Sequence, residues 1–244
     1  MKRAILLSHL FVREGEGYKL DVIDLCVDHF RKNNPDTYIF LSGHGLTPLS
    51  STLDNSNGYY WPNEIIESEI NVGHPRLVNE GLDCLIELGF EYVCKARIDS
   101  IHLIPNITEY CHNIITKENT KKLVTTCNDH GYMGDLFTYG DVNFIKKCWN
   151  EKTWYPTTTG LLSLGKNFIN TVGGLNEKSW LELLKKHCSY RDPETLKWVN
   201  LRAYYRQILS LPRDKVLNND FDFKDYIWDD WPLENRYTEN NYYN

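Results

Sequence analysis

Apolar and polar positions recur along this chain with two periods, one of strands and one of helices. Residues 3–9 open with the unbroken apolar run Ala4-Ile5-Leu6-Leu7, the pattern of a strand buried on both faces. Over 18–33, Val22, Ile23, Cys26, Val27 and Phe30 follow at spacings of three and four and predict one helix face, with Asn33-Asn34-Pro35 as its stop. Residues 37–42 read as the next strand. Strand, helix and strand in about forty residues make a βαβ unit and imply a parallel sheet. The stretch 43–70 is rich in Gly, Ser and Asn and carries Tyr59, Tyr60 and Trp61. It reads as a long functional loop.

Helical spacing returns at Leu77, Val78, Leu82, Leu85 and Ile86, with Pro75 suited to the first turn and Gly89 to the C-terminal cap. A strand over 90–98 ends at Asp99. Further strands are predicted at 121–127 and near 160–164, and helices at 141–150, 176–188 and 193–210. The pattern is α/β: a mixed, mostly parallel sheet flanked by helices, with a helical C-terminal part. One domain is expected over 1–217, followed by an acidic, aromatic tail over 218–244 that Trp228 and Trp231 pack back in part.

Composition narrows the function. With 244 residues and 41% hydrophobic content the chain can bury one sizeable core. Its net charge of -6 weighs against a surface that neutralises nucleic-acid phosphates. Seven cysteines form no C-x-x-C pair, so free thiols and a reducing, cytoplasmic setting are expected. The apolar run after Met1-Lys2-Arg3 is too short for a signal core, and no stretch approaches the roughly 20 apolar residues of a membrane span. An acceptor at a membrane would therefore be reached peripherally. The loop after the first strand, Val12 to Gly17, matches neither G-x-G-x-x-G nor a P-loop, and no G-x-S-x-G elbow occurs.

The informative element is Lys95-Ala96-Arg97-Ile98-Asp99-Ser100-Ile101-His102. It sets an acid at the C-terminal end of a buried strand, where open parallel sheets bind ligands. A carboxylate there can hold a divalent cation, Mn or Mg, that neutralises a diphosphate leaving group. Lys95 and Arg97 alternate onto one side, where they could meet phosphates or anchor an acidic partner. His102 is a second candidate metal ligand, with a structural histidine as the alternative.

The run Gly89-Phe90-Glu91-Tyr92-Val93-Cys94-Lys95-Ala96-Arg97-Ile98-Asp99 resembles the F-x-Y-V-x-K-x-R-x-D segment of the WavE lipopolysaccharide-synthesis family and related GT-A glycosyltransferases. The preceding helix, from His74 to Leu82, is similar to that family's helix before the strand, and Met133 to Asp141 resembles its D-x-[FL]-x-[YF]-G segment. The resemblance covers roughly residues 3–172. It implies a GT-A fold, a nucleotide-sugar donor, a glycan or lipid-linked glycan acceptor, and polysaccharide or lipopolysaccharide assembly. Many GT-A enzymes carry D-x-D at the strand end, whereas here Arg97 takes the first acidic position. The family's acidic segment before the last core strand is also missing, being Pro156-Thr157-Thr158-Thr159-Gly160.

On this reading the donor-binding candidates are His9, Arg76, Lys95, Arg97 and Asp99, and the metal candidates Asp99 and His102. Asp135 is the candidate base that takes the acceptor proton in an inverting transfer, with a structural turn residue as the alternative; Asp141 reads as a helix N-cap. Tyr59, Tyr60 and Trp61 are candidates for stacking on a base or sugar, with core packing as the alternative. His187 is a candidate for the metal, with a partner of a helix C-terminal dipole as the alternative, and the pair Arg202 and Arg206 for the diphosphate, with a solvated helix face as the alternative. A sugar-phosphate nucleotidyltransferase and a non-catalytic glycan-binding protein of the same fold are the competing functions.

Overall fold

The structure is a computed structural model and describes residues 1–10, 20–44, 50–62, 70–127, 133–153, 160–173, 183, 186–190, 195–201 and 211–226. In chain order, β1 (Arg3–Leu10), α1 (Leu20–Asn33) and β2 (Tyr38–His44) form the expected βαβ unit. The predicted long loop in fact holds a one-and-a-half-turn helix, α2 (Ser50–Asn55), and a three-residue strand, β3 (Gly58–Tyr60). Then come α3 (Ile70–Glu87), β4 (Tyr92–Arg97) and the short β5 (Ser100–His102). A helix with no counterpart in the sequence reading, α4 (Ile107–Lys117), leads into β6 (Leu123–Cys127) and β7 (Met133–Asp141). The described remainder is α5 (Val142–Cys148), α6 (Gly160–Val172), β8 (Cys188–Tyr190), β9 (Trp198–Asn200) and α7 (Arg213–Leu217).

Seven strands form one sheet in the order β3-β2-β1-β4-β7-β6-β8, and β5 pairs with β9 in a second. Within the large sheet β7 alone runs against its neighbours, pairing Ala96 with Phe137 and Cys94 with Tyr139. Strand alternation sends Ile5, Leu7, Ile39, Leu41, Cys94 and Ala96 to one face, under α1 and α4. It sends Ala4, Leu6, Phe40 and Val93 to the other, under α3, α5 and α6. Both faces are covered, which is why β1 and β2 read as near-continuous apolar runs.

Local signals set several boundaries. Asn34 stops α1 by donating its Nδ2 to the Phe30 carbonyl at 2.9 Å, and its Oδ1 accepts the Ile107 N–H at 2.9 Å, so one side chain ends α1 and starts α4. Gly89, at φ 77°, closes α3 as expected, with the Phe90 N–H reaching back to the Leu85 carbonyl at 3.0 Å. Helix α3 begins upstream of the predicted start, so Pro75 lies in its second turn.

The misread segments share one cause, tertiary context. Residues 160–164, expected as a strand, start a helix whose Leu164 and Phe168 are buried four apart; the short run Leu161-Leu162 fits either period. The helices expected at 176–188 and 193–210 give way at β8 and β9, where Ser189 pairs with Val124 and Val199 with Ile101. Buried Trp198, Val199 and Leu201 satisfy a strand edge as well as they would a helix face. The segment from Met133, for which no strand was predicted, is strand; Phe137 and Tyr139 are buried despite the flanking Gly134, Asp135 and Gly140. In the tail, Phe221 and Phe223 pack on the core under α1, while Trp228 and Trp231 lie outside the described residues.

A Cβ at Gly140 would come within 2.5 Å of Leu123 Cδ2 and 2.8 Å of the Lys122 carbonyl oxygen, so backbone as well as side chain must yield. Gly140→Ala is expected to lower unfolding free energy by about 1–3 kcal/mol, the usual range for overpacking. Urea unfolding measures it, and a variant as stable as the parent would contradict the β6–β7 contact.

Candidate functional site

The parallel strands β1, β2, β3 and β4 end at one edge of the sheet, and β7, being antiparallel, begins there. Register carries Ser8 beside both Ser42 and Arg97, so a row of polar positions crosses three adjacent strands on the α3 side near this edge. Ser42 Oγ donates to the Leu77 carbonyl at 2.6 Å, and Ser8 Oγ lies 3.4 Å from His74 Nε2, which binds the N-terminal half of α3 down onto this edge.

At the end of β4, Arg97 turns back onto Asp99. Its Nε donates to Oδ1 at 3.0 Å and its Nη2 to Oδ2 at 2.7 Å, a two-pronged pair that engages both carboxylate oxygens. The Asp99 side chain is 2% exposed and that of Arg97 12%, so the acid is inside and the guanidinium at the rim. The turn that presents them is braced: Ser100 Oγ donates to the Arg97 carbonyl at 3.0 Å, and the Leu201 N–H to the Asp99 carbonyl at 2.9 Å. Burial and the nearby Asp99 charge both push the Cys26 thiol of α1 well up, which keeps it protonated.

The other candidates are distributed around this pair. Lys95 shares the strand face of Arg97 but is fully buried, its Nζ 4.3 Å from the Trp149 ring centroid in a cation–π contact. The His74 ring meets the same indole edge-on at 5.1 Å. As placed, Lys95 is an interior cation of the sheet. Arg76 is exposed on α3. His9 pairs with Gly43 at the edge, and Asp135 lies two residues before Phe137 at the start of β7, on the same edge; both side chains fall outside the described residues. Asp141 caps α5, accepting the Phe144 N–H at 2.9 Å, as expected.

His102 lies in the core under α1. Its ring is 4.4 Å from that of Phe137 and 6.1 Å from that of Phe30, and neither nitrogen makes a well-formed hydrogen bond. Burial lowers its pKa to about 3, eased in part by the Leu196 carbonyl. His102 as placed is a neutral histidine of the core, the structural one of its two readings. His187 precedes β8 at the opposite edge of the sheet, beside Lys121, Lys122 and Lys186, far from β4's end in topology. Arg202, Arg206 and the segment 156–159 lie outside the described residues.

Among the described residues, no three His, Cys, Asp or Glu side chains gather into a group that could hold a metal ion. Asp99, the one carboxylate expected to carry a cation, has both oxygens on Arg97. The described donor set therefore does not fit a divalent metal as it stands.

Sequence reasoning named Tyr59, Tyr60 and Trp61 without placing them. β3 runs parallel to β2, so Trp61 emerges at the same edge; a Cβ on Gly43 would lie 2.4 Å from its ring. Tyr59 is 56% exposed and Tyr60 half-buried beside it. Trp149 and Ser8 were missed, since a Trp after a helix cap and a Ser ending an apolar run carry no distinguishing pattern.

Comparison with known proteins shows the fold. The chain aligns with a Desulfovibrio desulfuricans protein assigned as a nucleotide-diphospho-sugar transferase, with a TM-score of 0.50 at 8% identity, over 90% of this chain and 96% of that one. It aligns equally with a cytidylyltransferase of Leptospira borgpetersenii, TM-score 0.50 at 8% identity, over 80% of this chain and 78% of that one. The architecture is α/β of the GT-A type. No family model and no curated protein matches the sequence. No described helix is long and apolar enough to cross a membrane.

Two buried histidines predict an acid limb of stability. His29, its Nε2 2.8 Å from Asn219 Oδ1, is held near pKa 4 chiefly by burial, and His102 near 3. Both folded-state values lie below the ordinary 6.5, so the unfolded chain takes up these protons first. Stability from the pair is complete above pH 6.5 and falls as pH drops towards 4 and then 3. His102→Phe, which suits the aromatic surroundings, should keep its stability at pH 7 and flatten this limb. A His102→Phe variant with an unchanged limb in urea unfolding across pH would remove His102 from the account.

Proposed function

We propose that this protein is a nucleotide-sugar-dependent glycosyltransferase that binds its donor across the edge formed by the ends of β1, β2 and β4. The observation that carries this reading is the convergence at that edge of the Arg97–Asp99 pair and the aromatic residues after β2. A nucleoside diphosphate offers what such an edge takes: charge for a guanidinium and a flat base for an aromatic face. Trp61 and Tyr59 stack on the base or sugar, and Arg97 meets the diphosphate. Asp135, at the start of β7, takes the proton of the acceptor hydroxyl. The hydroxyl oxygen attacks the anomeric carbon, the bond from that carbon to the diphosphate oxygen breaks, and the nucleoside diphosphate leaves. The resemblance of the β4 segment to the WavE family supports a glycan or lipid-linked glycan acceptor, in polysaccharide or lipopolysaccharide assembly.

Thermal unfolding of the full chain with UDP, GDP, CDP, dTDP and their sugars at millimolar concentration tests the donor site without knowledge of the acceptor. One nucleotide should raise stability by mass action, by about 2.7 kcal/mol at a hundredfold excess over Kd. Stabilisation by none of them would sink the donor reading and favour a non-catalytic glycan-binding role. With the donor in hand, Asp135→Asn should lower kcat by about 10²–10⁴, the range for loss of a general base. Release of pyrophosphate instead of a nucleoside diphosphate would turn the assignment to nucleotidyl transfer.

A further inference from the structure

Among the described residues, the carboxylate at the end of β4 is met by a guanidinium of the same strand. Two carboxylates with one divalent cation sum to zero formal charge. One guanidinium with one carboxylate also sums to zero, and that is the arrangement made by Arg97 and Asp99. The geometry is that of a filled site as well: the guanidinium fork covers both oxygens of a carboxylate that is only 2% exposed. The turn holding it is pinned by the Ser100 and Leu201 hydrogen bonds, so the cation is held in place before any ligand arrives.

We propose that Arg97 is the resident cation of this site, occupying Asp99 in place of a divalent metal, so that a nucleoside diphosphate binds through protein-borne charge without one. Asp99 then serves as a positioning residue: it fixes the guanidinium at the rim, where the 12% exposure of Arg97 faces the edge of the sheet. This inference rests on the donor reading above for its ligand, but its claim about the metal can be tested apart from it.

The probe is Mn²⁺, followed by the electron paramagnetic resonance of the free ion, added to the full chain alone and with an equimolar mixture of UDP, GDP, CDP and dTDP. Nucleotide without protein gives the baseline. The parent chain should leave the spectrum at that baseline, and any nucleotide affinity should change less than twofold between EDTA and Mn²⁺. Arg97→Asp, which restores two acids, should take up Mn²⁺, and Arg97→Asp combined with Asp99→Asn should lose it. Thermal unfolding reports whether each variant folds; should Arg97→Asp fail, Arg97→Gln uncovers the Asp99 oxygens with a neutral, hydrogen-bonding side chain and serves in its place. Mn²⁺ uptake by the parent that Asp99→Asn abolishes overturns the proposal. So does a folded Arg97→Asp, or Arg97→Gln where that stands in for it, that takes up no Mn²⁺ while Asp99 is intact, since Asp99 would then not stand at a metal position. If the parent binds no nucleotide, the donor reading fails, and the Mn²⁺ results still decide whether Arg97 fills the place of a metal. A purely structural pair is excluded if folded Arg97→Lys loses about tenfold in nucleotide affinity, because a point charge cannot reproduce the fork.

Discussion

An ionised carboxylate inside a protein must be met by opposite charge or it takes up a proton, and Asp99 is such a carboxylate. The guanidinium of Arg97 meets it from two residues away on the same strand. Around that pairing the neighbouring elements are arranged. β1 lies alongside through Ser8, β9 is tied by its end to the Asp99 backbone, and α1 abuts with Cys26, whose thiol is kept neutral by burial first and by the same charge second. The pair links the large sheet to the small one, because Asp99 sits between β4 and β5. Its net worth in stability over an apolar pair is small by general experience; its effect is to specify geometry at the edge.

Position along one face of the sheet divides the polar residues of β4 between roles. Lys95 and Arg97 point to the same side, yet one is sealed beneath Trp149 and the other reaches the rim. The difference is depth along the strand. Lys95 is opposite Leu6 and Thr138, in the middle of the sheet, where α3 and the turn after α5 close over it. Arg97 is opposite Ser8, at the last paired position, where the cover ends. Two residues of strand therefore separate an interior cation from one that can meet a ligand.

Much of this was legible in the sequence. The βαβ unit, the apolar character of β1, β2 and β4, the Gly89 cap and the Asp141 N-cap each follow from local chemistry. Asp99 was expected just past the end of a buried strand, and it follows the end of β4. What could not be read was set by distant partners. Nothing local tells that Arg97 folds back on Asp99 instead of projecting outward, or that His102 falls between Phe30 and Phe137. β7 was hidden because Gly134, Asp135 and Gly140 weaken its strand signal, and it is a strand because β4 and β6 flank it. β9 was hidden because Trp198 and Val199 suit a helix face until β5 is there to pair with them.

The antiparallel insertion of β7 also orders the assembly of the chain. β6 leaves the ribosome before β7, yet it reaches the sheet only through β7, and β8 only through β6. The parallel half, β3-β2-β1-β4, can close from the first ninety-seven residues, while β6 waits for the hairpin that brings it in. During that interval the outer edge of β4, carrying Cys94 and Ala96, is an unpaired template for other strands. The edge that ends as the centre of the sheet is thus the one most exposed to mispairing while the protein is being made, and a delay within residues 128–141 would act on solubility before it acted on the finished fold.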